Sequence, residues 1–264
     1  MDLNTVADVI SPAAVGQWRP GDAWLAGGTA LFGEPRPHLT RLLDLTTAGW
    51  PALTRREDGL EIAATCTIAE IAASGYDLAA RCCDAFLASF KIWNVATVGG
   101  NICAALPAGP MIALGAALDG TCLLLGPEGS RTVLVRDFVV DEGTTVLSEG
   151  ELLRSIHLPD SSLRARAALR QGSLHRHGRS AALLIGRIEE DGLVLTVTAA
   201  TKKPYILKFQ AYPSAEVVQI ALTERIPENA YVDDVHGHPA WRRHLTRLYA
   251  EQIRQELSRQ EPSR

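Results

Sequence analysis

Two short segments with paired glycines, Ala26-Gly27-Gly28-Thr29 and Thr97-Val98-Gly99-Gly100-Asn101, each follow an apolar run: Trp24-Leu25-Ala26 in one case and residues 92–96 in the other. Paired glycines let the backbone take positive φ and turn its N–H groups inward. The resulting concavity admits an anion such as a diphosphate without meeting side chains, and the adjacent Thr adds a hydroxyl. An ordinary tight turn uses the same pair. No Gly-Lys-Ser/Thr follows either segment and neither fits G-x-G-x-x-G. The spacing therefore excludes a P-loop and a Rossmann fingerprint, and leaves phosphate cradle and plain turn both open.

Residues 1–50 read as a short first unit, with brief strands at 24–26 and 42–45 flanking the Pro-punctuated Glu34-Pro35-Arg36-Pro37. In the next stretch, 59–150, a strand covers 59–64. Thr67-Ile68-Ala69-Glu70 is a capping box, which predicts a helix of about three turns to near Arg81. Residues 84–91 read as helical too. Residues 112–119 predict a helix of small residues packed tightly on a neighbour, and 121–125 with 131–135 a hairpin around Gly126-Pro127-Glu128-Gly129. Pro159 and the polar Asp160-Ser161-Ser162 mark the best boundary. Beyond it, apolar runs at 182–188 and 193–199 joined by Glu189-Glu190-Asp191-Gly192 predict a hairpin, with a third strand at 205–209. An amphipathic helix starts at Pro239. Trp241, Leu245, Leu248, Tyr249, Ile253 and Leu257 share one face, while Arg242, Arg243, Arg247 and Arg254 form a solvated face.

Composition narrows the function classes. With 264 residues, 47% of them apolar and 21% charged, the chain has the make-up of an ordinary globular protein of one large or two modest domains. A net charge of −4 removes the basic footprint of a nucleic-acid binder. Cys66, Cys82, Cys83, Cys103 and Cys122 are odd in number and lack CxxC spacing. That argues against a zinc or iron–sulfur site within this chain and against a disulfide framework. Met1-Asp2-Leu3-Asn4 lacks a signal-peptide layout, and no run approaches the roughly 20 apolar residues of a membrane span. The expected address is cytoplasmic.

Leu25-Ala26-Gly27-Gly28-Thr29-Ala30-Leu31 resembles the first flavin loop of the FAD-binding (medium) subunits of molybdenum hydroxylases. That group includes the xanthine dehydrogenase FAD domain and the medium subunit of aerobic carbon monoxide dehydrogenase. Asn94-Val95-Ala96-Thr97-Val98-Gly99-Gly100-Asn101-Ile102 resembles their second loop. Gly150-Glu151-Leu152-Leu153-Arg154-Ser155-Ile156-His157-Leu158-Pro159 resembles the segment closing their FAD domain. Order and separation match as well, so the resemblance is close over 20–160 and looser over 165–264.

The resemblance implies FAD as the cofactor. Ala26, Gly27, Gly28, Thr29, Ala30 and Leu31 would wrap its diphosphate, and Thr97, Val98, Gly99, Gly100 and Asn101 would hold the other side and the ribityl region. Leu152 and Leu153 would be apolar contacts, and Arg170 stands where relatives place a Lys near the flavin. The implied fold is α+β. An FAD-binding domain over 1–160, of the vanillyl-alcohol-oxidase type, divides into subdomains of about 1–56 and 57–160. A C-terminal domain over 161–264 has a three-stranded antiparallel sheet and helices. Two departures stand out. Leu106-Pro107-Ala108-Gly109-Pro110 puts Pro110 where relatives have an Asp that contacts FAD hydroxyls, and Trp93 stands where Arg is frequent.

On the family pattern, substrate is oxidised at a molybdopterin centre on a large subunit, and electrons pass through [2Fe–2S] clusters of a small subunit to FAD on this chain and on to an external acceptor (NAD, quinone or dioxygen). The implied assembly is a dimer of heterotrimers. No catalytic side chain and no metal ligand is assigned here. Two alternatives stay open: a self-contained FAD-dependent oxidase or dehydrogenase, which needs a base or oxyanion donor over the flavin, and a flavin-free assembly module. His175-Arg176-His177 reads as an exposed loop, and Asp233-Asp234-Val235-His236-Gly237-His238 as a terminating and capping segment rather than a metal site. Cys82-Cys83 reads as a pair of small helix residues and Cys103 as a packing residue near the second loop. Asp119, Asp141 and Glu142 have no catalytic partner arrangement.

Overall fold

The computed structural model describes residues 3–12, 15–190 and 192–258. Strands β1 (Asp8–Ile10), β2 (Asp22–Leu25) and β3 (Arg41–Asp44) form a parallel sheet in the order β1-β3-β2. The β2–β3 register sets Trp24 against Leu43 and Leu25 against Asp44. Arg41 clamps the start of β2, its Nη2 and Nε reaching the buried Asp22 carboxylate at 2.5 and 2.8 Å. That bond is the main reason the Asp22 carboxyl is held below its usual range. The strand that delivers the first glycine segment is thus anchored at its base.

β4 (Leu53–Arg55) and β5 (Gly59–Ala63) lead into a run of helices. Both arms of the Thr67–Glu70 capping box are present, yet the helix they start, α1 (Ile68–Ala72), stops after five residues. Gly75, at φ +84°, turns the chain before α2 (Asp77–Asp84), so the single three-turn helix expected here is two short ones. The helix expected over 84–91 is likewise corrected. α2 ends at Asp84, residues 85–89 turn, and a single turn, α3 (Phe90–Trp93), follows. The Trp93 indole donates to the Phe86 carbonyl at 3.0 Å and fixes that turn. Next come α4 (Val98–Cys103) and α5 (Pro110–Ala117), and the hairpin of β6 (Thr121–Gly126) and β7 (Gly129–Leu134). After α6 (Val135–Phe138), the small pair β8 (Val139–Asp141) and β9 (Thr144–Thr145) precedes β10 (Leu152–Pro159). β10 is the central strand of an antiparallel sheet ordered β4-β5-β10-β6-β7.

α7 (Asp160–Arg164) connects to β11 (Ala167–Gly172), β12 (Ala182–Glu189), β13 (Gly192–Thr198) and β14 (Tyr205–Phe209), an antiparallel sheet in chain order. It therefore has four strands instead of the expected three. β11, with no clean apolar alternation in its sequence, pairs along its whole length with β12. The expected Glu189–Gly192 turn joins β12 to β13, although Asp191 itself falls outside the described residues. α8 (Ala215–Arg225) and α9 (Pro239–Ser258) complete the fold.

Every residue of α5 is buried, and it packs in one core with Leu183 and Ile185 of β12. The opposite face of the same strand, with Ala182 and Leu184, shares a second core with Ile253 and Leu257 of α9. The solvated arginine face expected on α9 does not hold for Arg242, which is 1% exposed. Its Nε donates to the Gly237 carbonyl at 2.9 Å, Nη1 donates to the carbonyls of Ala181 and Ala199 at 2.9 and 2.7 Å, and Nη2 pairs with Asp234. Leu248, assigned to the apolar face, is 42% exposed. No helix among the described residues is long and apolar enough to cross a membrane.

Candidate functional site

The two glycine segments meet. A Cβ on Gly27 would sit 1.8 Å from the Val95 carbonyl oxygen, so the first segment lies flat on the backbone that leads into the second. Gly99 is pressed against Ala64, where a Cβ would come within 2.7 Å of the Cα. Of the four paired glycines only Gly28 takes positive φ, at +69°, with the Phe32 ring against it. The expectation that glycine serves positive φ in both segments is thus corrected. Three of the four need helical or extended backbone, and two of those, Gly27 and Gly99, serve close approach.

The segments also differ in their donors. The second opens α4, with Thr97 as N-cap: its Oγ1 accepts from Gly100 N at 3.0 Å and its carbonyl from Asn101 N at 2.9 Å. Val98 N and Gly99 N donate to the carbonyls of Cys66 and Ala64 at 2.8 and 3.0 Å. These N–H groups are committed inside the protein. In the first segment, by contrast, the N–H groups of Gly27, Gly28, Thr29 and Ala30 donate to no protein acceptor among the described residues. Gly28 is buried, Gly27 and Leu31 half-buried, and Thr29 and Ala30 exposed.

A cavity of about 240 Å³ lies where these segments converge with the start of β10. Trp24 and Ala26 line it from the end of β2, Gly99, Gly100 and Cys103 from α4, and the buried Leu152 and Leu153 from β10; Leu45, Ala64, Leu147 and Glu151 close it. Glu151 is held by both Arg131 Nε and Nη2 at 2.7 Å and by Ser148 N at 2.7 Å. Arg131, above all, brings its carboxyl down to about 2. Burial pushes the Cys103 thiol up to about 12, so it stays protonated at neutral pH.

Asn101 is partly spoken for. Its Oδ1 accepts from Met111 N at 3.0 Å, satisfying an open donor at the start of α5, which leaves its amide nitrogen to donate. Pro110 is the first residue of that helix and is buried, where its fixed φ suits the position. Arg170 is not brought to the cavity. From β11 its guanidinium reaches Gln252 and Glu256 of α9 and the Leu169 carbonyl. Sequence reasoning missed Trp24, Leu45 and Leu147 on the cavity wall. Trp24 stands on β2 two residues before Ala26, which directly follows that strand, a spacing that could have pointed to it.

His175, Arg176 and His177 form an exposed loop, as expected. Asp234 serves as the counterion of Arg242. Asp119 gathers Arg136 at 2.9 Å, Lys208 at 3.6 Å and the buried Arg187, whose Nε also donates to the Ala117 carbonyl at the end of α5 at 2.7 Å. This cluster ties α5 to β12 and sits apart from the cavity.

Helices and sheets together frame a cavity that Ala26, Gly99 and Gly100 help to line, and the residues directly after Ala26 carry main-chain donors with no acceptor among the described residues, as a domain for a nucleotide-type cofactor requires. The family described as FAD binding domain in molybdopterin dehydrogenase matches residues 4–161, more than half of the chain, and the chain belongs to that family. The carbon monoxide dehydrogenase medium chain of Afipia carboxidovorans is 31% identical over 144 residues, covering 51% of this chain and 50% of that protein. The glyceraldehyde dehydrogenase medium chain of Sulfolobus acidocaldarius is 36% identical over 73 residues, 28% of this chain and 26% of that one. The chain thus matches about half, or less, of the length of these relatives. In fold it is similar to quinoline 2-oxidoreductase from Pseudomonas putida 86, at a TM-score of 0.81, 18% identity and coverage of 97% of this chain and 98% of that one. It is equally similar to reconstituted CO dehydrogenase from Oligotropha carboxidovorans, at a TM-score of 0.81, 20% identity and coverage of 96% and 97%.

Proposed function

We propose that this chain is the FAD-binding, electron-transferring subunit of a molybdenum-containing hydroxylase or dehydrogenase complex. The observation that carries the reading is the convergence of Ala26 from the first segment, Gly99 and Gly100 from the second and Leu152-Leu153 on one cavity, with four main-chain donors that have no acceptor among the described residues following Ala26 directly in the chain. A diphosphate needs such donors, and an apolar ring system needs such a wall. In this reading the N–H groups of Gly27, Gly28, Thr29 and Ala30 bind the diphosphate, with Ala26 and Leu31 at its flanks. Gly99 and Gly100 form a side-chain-free floor above Val98, Thr97 holds that floor through its cap, and the Asn101 amide nitrogen donates. Leu152 and Leu153 pack on a ring. Arg170, engaged on α9, is left out of this set.

When bound, FAD accepts electrons singly and releases them as a pair. The protein's own work is to bind it, orient it and exclude water. Among the residues lining the cavity the single carboxylate, Glu151, is held by Arg131 and the thiol of Cys103 is neutral, so neither offers a base. That favours a subunit over a self-contained oxidase. The similarity to medium chains of two dehydrogenases supports partners of the same kind: a small [2Fe–2S] subunit and a large molybdopterin subunit, in a cytoplasmic dimer of heterotrimers. We read residues 1–160 as the FAD-binding domain, in two subdomains divided near residue 56, and 161–264 as a second domain that supports it.

The test is the visible spectrum of the purified chain, before and after added FAD, and its co-purification when expressed with its neighbouring genes. Oxidised-flavin bands and capture of iron–sulfur and molybdenum subunits are expected. A colourless chain that takes up no FAD overturns the reading, and substrate turnover by the chain alone replaces it with the self-contained oxidase.

A further inference from the structure

A cavity of about 140 Å³, separate from the glycine segments, lies between α2, α5, α7 and β11. Its base is apolar and buried: Leu60, Ile71, Leu114, Leu118 and Leu158 are each 4% exposed or less. An engineered core cavity of roughly 150 Å³ with such a lining stays dry and takes up benzene, so this base suits one small ring or a short branched chain.

The rim is polar, and its groups have hydrogen bonds left to give. Ser162 is 4% exposed, and its hydroxyl has no hydrogen-bond partner among the described residues. Its oxygen is not sealed in, as the unpaired Ser74 oxygen is, so a molecule in the cavity can reach it. Tyr76 Oη accepts from Arg55 Nη1 at 2.7 Å, which leaves its own proton to donate. Arg81 makes one hydrogen bond among the described residues, from Nη2 to the Leu169 carbonyl of β11 at 3.2 Å. Asp77, the single carboxylate among the lining residues, stands 3.8 Å from Arg81 at 86% exposure, so water screens that pair.

Donors at the rim and an apolar base beneath them select an anion with an apolar body. A hydrocarbon would leave the donors unused, and water alone would leave the base unmatched. A carboxylate satisfies both, because a guanidinium and two hydroxyls give it charge-assisted hydrogen bonds while its body fills the base. We propose that this cavity is a binding site for a small monocarboxylate with a single-ring or short branched body, held by Arg81, Ser162 and Tyr76. The site is independent of the FAD-binding reading.

The test uses the full-length chain and three probes. Benzoate carries both ring and charge, benzyl alcohol keeps the ring without the charge, and acetate keeps the charge without the ring. Titration calorimetry reads affinity, and the methyl resonances of Leu114 and Leu118 in labelled protein report where the probe sits. Benzoate should bind saturably at millimolar concentration or below, shift both sets of methyl resonances and raise the melting temperature with its concentration. Benzyl alcohol and acetate should each bind at least about 10-fold more weakly. Arg81→Gln and Ser162→Ala should each weaken benzoate about 10-fold. Neither should change the affinity for benzyl alcohol by as much, which a general loss of structure would do. Absence of saturable benzoate binding by the wild-type chain overturns the proposal, as do unmoved Leu114 and Leu118 resonances when benzoate binds. Equal benzoate affinity in Arg81→Gln, or benzyl alcohol bound as tightly as benzoate, overturns it as well.

Discussion

Replacing Gly27 and Gly100 separates the two jobs that glycine does at this site. At Gly27 even Ala is too large. Its Cβ would lie 1.8 Å from the Val95 oxygen and 2.6 Å from the carbonyl carbon, both main-chain atoms. Two backbones must move apart, which exceeds the usual overpacking range and should cost about 3 kcal/mol or more. At about 2–4 °C per kcal/mol for a domain near this size, melting should fall by about 6–12 °C, or the chain should fail to fold. Gly100 is exposed in α4, and a Cβ there meets only Thr97 Oγ1, at 2.9 Å. Ala in a helix gains about 0.5–1 kcal/mol over Gly, roughly offsetting that crowding. A larger Gly100→Leu side chain extends from the cavity wall, so it should leave the FAD-free fold nearly level while weakening FAD binding by a 1–3 kcal/mol clash, about 5- to 150-fold. Differential scanning fluorimetry without FAD and a flavin-fluorescence titration read the two effects. Unchanged FAD affinity in a folded Gly100→Leu protein would refute the placement of the cofactor in this cavity. A Gly27→Ala chain as stable as wild type would refute the close approach of the two segments.

Asp119→Asn keeps a residue that tolerates the φ of +51° found there but removes the charge facing Arg187, which is 3% exposed. The loss should be about 3 kcal/mol, the low end for a broken buried pair because Glu189 remains 3.6 Å from Arg187, and urea denaturation would read it. Thr196→Val removes a buried hydroxyl that has no partner among the described residues and should raise stability by about 1 kcal/mol, visible as a melting temperature about 2–4 °C higher. The Glu151 carboxyl is held at about 2 in the folded chain against an ordinary 4.5, so its stabilising contribution is complete above about pH 4.5 and is lost as pH falls toward 2. Glu151→Gln should therefore lower stability at pH 7 and flatten the acid limb of a stability–pH curve over that window; a parallel acid limb in both proteins would count against the Arg131–Glu151 coupling.

Legibility of the fold followed the range over which each pattern acts. The 205–209 strand, the hairpin of β6 and β7 and the start of α9 at Pro239 were readable because alternation, turn chemistry and capping are local. β11 was not, because Ala-Ala-Leu-Arg-Gln-Gly becomes a strand only through its pairing with β12. The helix after Thr67 was overextended because the pattern continues through Gly75, where the backbone turns. Arg242 was misplaced for a related reason. Charge spacing assigns an arginine to a solvated face, whereas the carbonyls of the distant Ala181 and Ala199, with Gly237 and Asp234 from the segment just before α9, make a buried site for it.

At the site, the residues were legible and their roles were not. Paired glycines look alike in a sequence, but one segment leaves its N–H groups open and the other spends them on Cys66, Ala64 and its own Thr97. The difference arises because Thr97 caps a helix whose first turn takes the Gly100 and Asn101 donors and whose start packs on Cys66 and Ala64, which take those of Val98 and Gly99, while the first segment runs from a strand into a loop with no such partner. The open donors thus all belong to the segment that follows the strand anchored by Asp22 and Arg41.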